Sequence, residues 1–491
     1  MTSSTTDVRH PVGAEDDRGF FGHPRPLANL FGVEMWERFS FYGMQGILLI
    51  YLYYSAAQGG LGISEATATQ IVGAYGGGVY LATIVGAWLA DRVLGPERTL
   101  FYAAVVVMSG HIALSALPGL VGVTVGLVLI ALGSGGVKAN ASSLVGSLYA
   151  EDDERRDGGF SLFYMGINIG AFAGPLLTGL LQEDWGFHAG FALAAVGMAV
   201  GLVQYSLGRR RLPDRTRVAP HPLAPAERLR YAGVAVVGLG VLAVLLLSGV
   251  VAADNLSDTV IWVTVAAALA YFAVMLANRE ITTVERSRVW SFVPLFLANV
   301  VFWSLYQQQF TVVTIYSDKR LDRDLFGWEM PVSWVQSINP VFIILLAPVF
   351  AAAWTRLGPR QPSTPVKFGI GTILMGVAFL LFLAVPGGEN TAPLLALTGI
   401  LLVFTIAELF ISPVGLSLST KLAPQRFATQ MVALYFLSVA LGTAMSGKLA
   451  GSYDWHDETS YFLVLGLVAV AAGVVLLAAT KPIRRLMAGV H

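Results

Sequence analysis

Residues 87–98 read AWLADRVLGPER, and residues 353–360 read AWTRLGPR. Each is a short basic loop between two long apolar runs. Their similar wording predicts a duplicated unit, and counting apolar runs outward from each copy gives its size. About fourteen segments are long enough to cross a bilayer. They are 27–54, 67–92, 99–117, 121–149, 159–182, 189–208, 231–252, 259–278, 290–316, 332–355, 366–386, 392–421, 427–450 and 460–480. The first loop follows the second segment and the other follows the tenth. With the seventh and eighth as an insertion, the rest divides six plus six. Two six-helix halves about an axis along the membrane normal make a recurrent transporter plan, with the substrate site between them.

The expected fold class is therefore an all-α polytopic membrane protein. Its expected parts are an N-terminal tail (1–26), a six-helix bundle (27–208) and a linker with two extra helices (209–289). A second six-helix bundle (290–480) and a C-terminal tail (481–491) complete it. Ala232 to Ala252 carries no charge, which suits a lipid-facing helix outside the working bundle.

Composition agrees. The chain is 55% hydrophobic and 13% charged, against about 25% charged in soluble domains. Formal net charge is zero, which argues against nucleic acid as a partner. There is no cysteine, so disulfides, zinc-thiolate sites and thiol nucleophiles are excluded. Met1 to His23 is polar, without the apolar core of a signal peptide. No HExxH, GxSxG or Walker A sequence is present, so an enzyme is not expected.

Lys and Arg predict the orientation. Arg9, Arg18 and Arg25 lie in the N-terminal tail, and Lys481, Arg484 and Arg485 in the C-terminal one. The even-numbered connections are basic throughout, with Arg209, Arg210, Arg211, Arg215 and Arg217 in the longest. The odd-numbered ones hold almost none, apart from Lys319, Arg320 and Arg323. Both termini are expected in the cytoplasm.

Function is sought where charge sits inside the membrane, because such residues are costly and face a cavity or a partner. The first segment reads EMWERFSFYGMQ, with Glu34, Glu37 and Arg38 within two turns. Glu34 and Arg38 share a helix face that continues to Phe41, Tyr42 and Gln45. The fourth segment adds Lys138 and Asn140 after a glycine-rich approach, and the fifth has Asn168 between Gly166 and Gly170. The twelfth has Glu408, one turn before Ser412 and Pro413, where proline frees a backbone carbonyl. A lone His111 reads as a core residue, and the Asp91–Arg92 pair as a brace between helix ends. The run Glu151 to Asp157 reads as a solvated loop. Tyr75, Tyr80 and Tyr164 fit packing as readily as a pocket.

EMWERFSFY closely resembles the ExxERFxYY signature of the proton-dependent oligopeptide transporters, of the major facilitator superfamily. The resemblance extends through GAWLADR, VKANASSLVGSLY (137–149), FSLFYMGINIG (160–170) and ELFISPVGLSLSTKLAP (408–424). It implies a major facilitator fold and proton-coupled import of di- and tripeptides, with no cofactor beyond the proton gradient. It also implies a monomer whose partners are peptide, protons and lipid. By resemblance, Arg38, Lys138 and Tyr42 face the peptide carboxylate, and Asn168, Asn339 and Glu408 its amino end. Tyr80 and Trp303 match pocket aromatics, Tyr435 stands where tryptophan is more usual, and Ser412 joins the pocket. Glu34 and Glu37, with Arg38, match the residues of proton coupling.

The chain departs from this pattern at Phe41, in place of a tyrosine, and at Gln45 and Gln307. Those two stand where many relatives have an arginine and a carboxylate in contact. The expectation is a Gln45–Gln307 hydrogen bond that keeps this gate contact without charge. A drug or metabolite exporter would share the repeat, and a nitrate-like anion carrier would use the cations but not Glu408.

Overall fold

The computed structural model describes residues 18–150, 153–385 and 387–490, apart from the side chains at 235, 239, 242, 243, 246 and 247. Arg9, the Glu151–Asp152 start of the acidic run, and Pro386 lie outside these residues.

The first half consists of α1 (Arg25–Tyr53), α2 (Glu65–Leu89), α3 (Pro96–Ala116), α4 (Gly119–Gly146), α5 (Arg156–Trp185) and α6 (Phe187–Gly208). Then come α7 (Pro225–Leu247) and α8 (Leu256–Ala277). The second half begins with α9 (Thr283–Tyr306), which a tight turn at Gln307–Phe310 joins to α10 (Val312–Lys319). It continues with α11 (Ile338–Leu357), α12 (Thr364–Leu381), α13 (Leu394–Leu422), α14 (Ala428–Ala450), α15 (Thr459–Ala478) and the short α16 (Thr480–Leu486). Among the described residues, 12 helices are long and apolar enough to cross a membrane. Long helices stand at all of the expected segments, including α1 and α7.

Small residues set the packing, because lipid provides no hydrophobic drive between helices. Against α1, α5 presents Gly170 and Gly174. A Cβ there would lie 2.2 Å from the Met35 carbonyl and 2.4 Å from that of Phe39. Across the halves, α2 meets α14 so closely that a Cβ on Gly73 would come 2.5 Å from the Cα of Gly447. α8 packs on both α2 and α14, and its Asp258 pairs with Lys448 at 2.7 Å.

The loop at 87–98 braces the linker rather than two helix ends alone. Asp91 is 2.8 Å from His221, and the buried Glu97 takes Arg209 at 2.6 Å. At the other end of the bundle, the three cations that broke the charge pattern are all neutralised. Lys319 pairs with Asp318 at 3.0 Å, Arg320 with Glu458 at 2.7 Å, and Arg323 with Glu329 at 2.6 Å.

The halves close on one another away from the chain termini. Ser333, Trp334 and Ser337, just before and at the start of α11, donate to the carbonyls of Pro175, Leu176 and Phe172 at 2.9, 3.0 and 2.8 Å. Among the described residues, every side-chain hydrogen bond between α1–α6 and α9–α15 lies there or at Asp318. The bundle thus has a sealed end and an end without such bonds.

Candidate functional site

The charges of α1 fall four residues and one residue apart, so a single arginine serves both carboxylates. Arg38 donates from Nε and Nη2 to Glu34 Oε1 at 2.8 and 2.6 Å. Its Nε is 3.3 Å from Glu37 Oε2. The other Glu37 oxygen accepts from Ser134 of α4 at 2.7 Å. All three charges are buried, and Glu34 Oε2 has no hydrogen-bond partner. Three buried charges with one formal excess of negative charge need a further cation nearby, since an unbalanced buried charge is costly. Lys138, one turn beyond Ser134, provides it. Its ammonium stands 4.5 Å from the ring centre of Tyr80 and 5.4 Å from that of Phe41. Phe41 stacks on Tyr75, and its ring also faces the Arg38 guanidinium at 6.0 Å.

The second half supplies the opposite sign. Glu408 of α13 accepts from the hydroxyl of Tyr306 at 2.7 Å and from Asn339 Nδ2 at 3.3 Å. Asn339 also donates to Thr405 at 3.0 Å. Trp303, one turn before Tyr306, is fixed by Asn299 at 3.1 Å, which bonds Ser438 at 2.6 Å. Tyr42 stacks on Phe310 across the halves, and both Tyr42 and Tyr80 lie within electrostatic range of Arg38 and Glu408. Tyr435 is within the same range of Glu408 and of Tyr164.

The structure thus assembles Glu34, Glu37, Arg38, Tyr42, Tyr80 and Lys138 on one half, opposite Trp303, Asn339, Glu408 and Tyr435 on the other. Asn168 bonds its own helix, at the Tyr164 carbonyl (2.9 Å), and Asn140 does the same at Gly136 (2.8 Å). Ser412 lies one turn beyond Glu408 on the same face and is half-buried. His111 is fully buried, as expected of a core residue, but neither ring nitrogen has a hydrogen-bond partner, which is unusual for a buried polar group. The gate differs from expectation. Gln307 donates to Thr443 of α14 at 3.2 Å rather than pairing with Gln45, whose Oε1 is buried without a partner. α14 packs against the end of α9 and the turn that follows it, which places Thr443 within reach, and its hydroxyl accepts from the amide instead.

Ser134 and Tyr306 were not among the candidates. Tyr306 was the more visible of the two, since it sits three residues from Trp303 on one helix face. Ser134 offers no such signal.

A family model described as POT family matches residues 97–471. The chain belongs to the POT family. It is 43% identical to an uncharacterized transporter, YclF, of Bacillus subtilis, over 99% of this chain and all of that one. It is 39% identical to a di-/tripeptide transporter of Lactococcus lactis subsp. cremoris, over 97% of this chain and 99% of the relative. A crystal structure of a mutant of peptide transporter POT in complex with alafosfalin superposes with TM-score 0.91 at 43% identity. It covers 97% of this chain and 99% of that one. The POT assignment accounts for a multi-pass transporter built of two halves, and the expected fold class holds.

Proposed function

We propose that this POT protein is a proton-coupled symporter that imports di- and tripeptides by alternating access. The observation that carries the reading is the opposition of Arg38 and Lys138 on one half to Glu408 on the other, with Tyr42 and Tyr80 in range of both signs. A short peptide is a zwitterion whose unlike charges flank a variable middle. Arg38 can take its carboxylate through a planar fork, with Lys138 as a point charge. Glu408 takes the ammonium, held in place by Tyr306 and Asn339, with Ser412 one turn further along α13 and Asn168 contributing from the first half. Such a site reads main chain rather than side chains. The Lactococcus relative, named a di-/tripeptide transporter, supports that substrate class. An anion carrier has no use for Glu408.

A ligand that touches both halves stabilises the conformation in which both are close, and so couples binding to closure. With both termini in the cytoplasm, the sealed end is extracellular and the state described here faces inward. Coupling rests on Arg38 being shared. A peptide carboxylate competes for the guanidinium, and Glu34 or Glu37, deprived of it, takes up the proton. Each proton then contributes about 2.3 kcal/mol per 100 mV and about 1.4 kcal/mol per pH unit. The protein works as a monomer and needs no cofactor.

The test is uptake of labelled dialanine into proteoliposomes with and without an inward proton gradient. Gradient-driven accumulation is expected. Equilibration alone would remove the coupling, and failure both to bind and to transport would remove the substrate class.

A further inference from the structure

A second cavity lies behind α13. It has a volume of about 690 Å³ and opens at the end of the bundle that holds α16. Lys367 of α12, Lys421 of α13 and Arg484 of α16 line it, with the hydroxyls of Ser363, Thr364 and Ser417. Ser417 and Glu408 are nine residues apart, and at about 100° per residue they point to opposite faces of α13. The cavity is therefore outside the cleft between the halves.

Its charge is one-sided. No carboxylate lines it, and among the described residues none of its three cations pairs with an acidic side chain. The neighbouring cavity at the start of α9 is balanced, with Glu280 paired to Arg426 and Glu285 beside them. Lys421 and Arg484 alone would fit the ordinary bias of basic residues at that end. Lys367 does not fit it, because it is only 7% exposed. Its ammonium donates to Gln361 at 2.7 Å and stands 4.3 Å from the centre of the Trp354 ring. Both partners are neutral, so the desolvated charge stays uncompensated. The first turn of α12 adds to the positive field. It holds no acidic residue, and Ser363 at its cap makes no side-chain bond.

We infer that this cavity binds an anionic phosphate group. The site stands beside Trp354, an aromatic of the type that marks headgroup level, and Val366 and Val414 form an apolar wall. Basic pockets between helices at that level hold phospholipid headgroups. An acidic phospholipid fits both the cations and the wall, whereas inorganic phosphate uses the cations alone. A group held there ties the N-terminus of α12 to the C-terminal turn of α13, on the face opposite Glu408. The inference is independent of the peptide reading.

The experiment measures thermal unfolding of the full chain in phosphatidylcholine nanodiscs, as phosphatidylglycerol or inorganic phosphate is titrated in at constant ionic strength. Phosphatidylglycerol is expected to raise the midpoint. In the Lys421→Gln/Arg484→Gln variant the half-saturating fraction should rise roughly fivefold per charge removed, and adding Lys367→Gln should abolish the response. A control variant with Arg210, Arg211 and Arg230 changed to Gln should respond like the parent. A response of the same cation dependence to inorganic phosphate would support the site and make the soluble anion its ligand. Equal responses of the pocket double variant and the control would overturn the inference, and the double variant leaves the buried lysine intact should the triple one not fold.

Discussion

Ser134 of α4 donates a 2.7 Å hydrogen bond to Glu37 of α1, the carboxylate that shares Arg38 with Glu34. It is the one neutral donor to that carboxylate among the described residues. With Arg38 drawn away by a peptide, it becomes the remaining fixed contact of Glu37 within α4.

Ser134→Ala should therefore impair coupling more than binding. Proton-driven accumulation of dialanine is expected to fall at least threefold, in line with about 1 kcal/mol for a buried hydrogen bond. Counterflow exchange without a gradient should continue at close to the parent rate, and Ser134→Thr should restore accumulation. An unchanged accumulation ratio in Ser134→Ala would show that the bond has no part in coupling.

Tyr306 positions Glu408, and its loss leaves that carboxylate with the longer bond from Asn339. A hydrogen bond to a charged group contributes about 1.5–3 kcal/mol. Tyr306→Phe should accordingly raise the half-saturating concentration of dialanine by about tenfold or more. Inhibition by N-acetyl-dialanine, which has no ammonium to meet Glu408, should change little. Equal weakening of both compounds would place the effect outside the amine site.

How far the site could be read in the sequence follows from how local each feature is. Glu34, Glu37 and Arg38 were legible because one helix turn brings them together, whatever the rest of the chain does. Glu408 was legible because a carboxylate in an apolar helix demands a partner. Ser134 was hidden, since a serine among glycines reads as close helix packing and its partner lies on another helix. The gate failed for the same reason. Gln45 and Gln307 look like a neutral pair, but the amide of Gln307 goes to Thr443, brought near by the packing of α14 on the turn after α9. The break after α9 was also missed: Gln307–Gln309 interrupt the apolar run for less than one helical turn, so the segment reads as continuous into α10 although the backbone turns there.

Gly73 and Gly447 allow the sealed end to close. A Cβ on Gly447 would come 2.6 Å from the Thr69 carbonyl, so α2 and α14 must separate to accept one. Gly447→Ala should thus favour conformations open at that end. The chain has no cysteine, so spin labels at Ala56→Cys and Asp454→Cys report on that end alone. The alanine variant is expected to shift weight towards longer label distances, and an unchanged distribution would show that the helices adjust without opening.

Tyr53 and Tyr54 are neighbours in sequence, yet both hydroxyls meet the two oxygens of Asp318, at 2.8 and 2.6 Å. Neighbouring residues in a continuous helix diverge by about 100°. They converge here because α1 stops at Tyr53 and Tyr54 is extended, with φ −57° and ψ 144°. The pair holds α1 of one half to α10 of the other at the sealed end, with Lys319 as the counter-charge at 3.0 Å. Asp318→Asn turns one acceptor into a donor, so one phenol loses its bond and Lys319 its charge partner. A lost buried bond of about 1–3 kcal/mol corresponds to roughly a fivefold to hundredfold increase in the ratio of open to sealed conformations, read by the same label pair. Tyr54→Phe should give a smaller shift in the same direction. If all three residues act as one latch, the effects of Asp318→Asn and Tyr54→Phe will be less than additive. Strict additivity would mean that Tyr54 and Asp318 act on the seal independently.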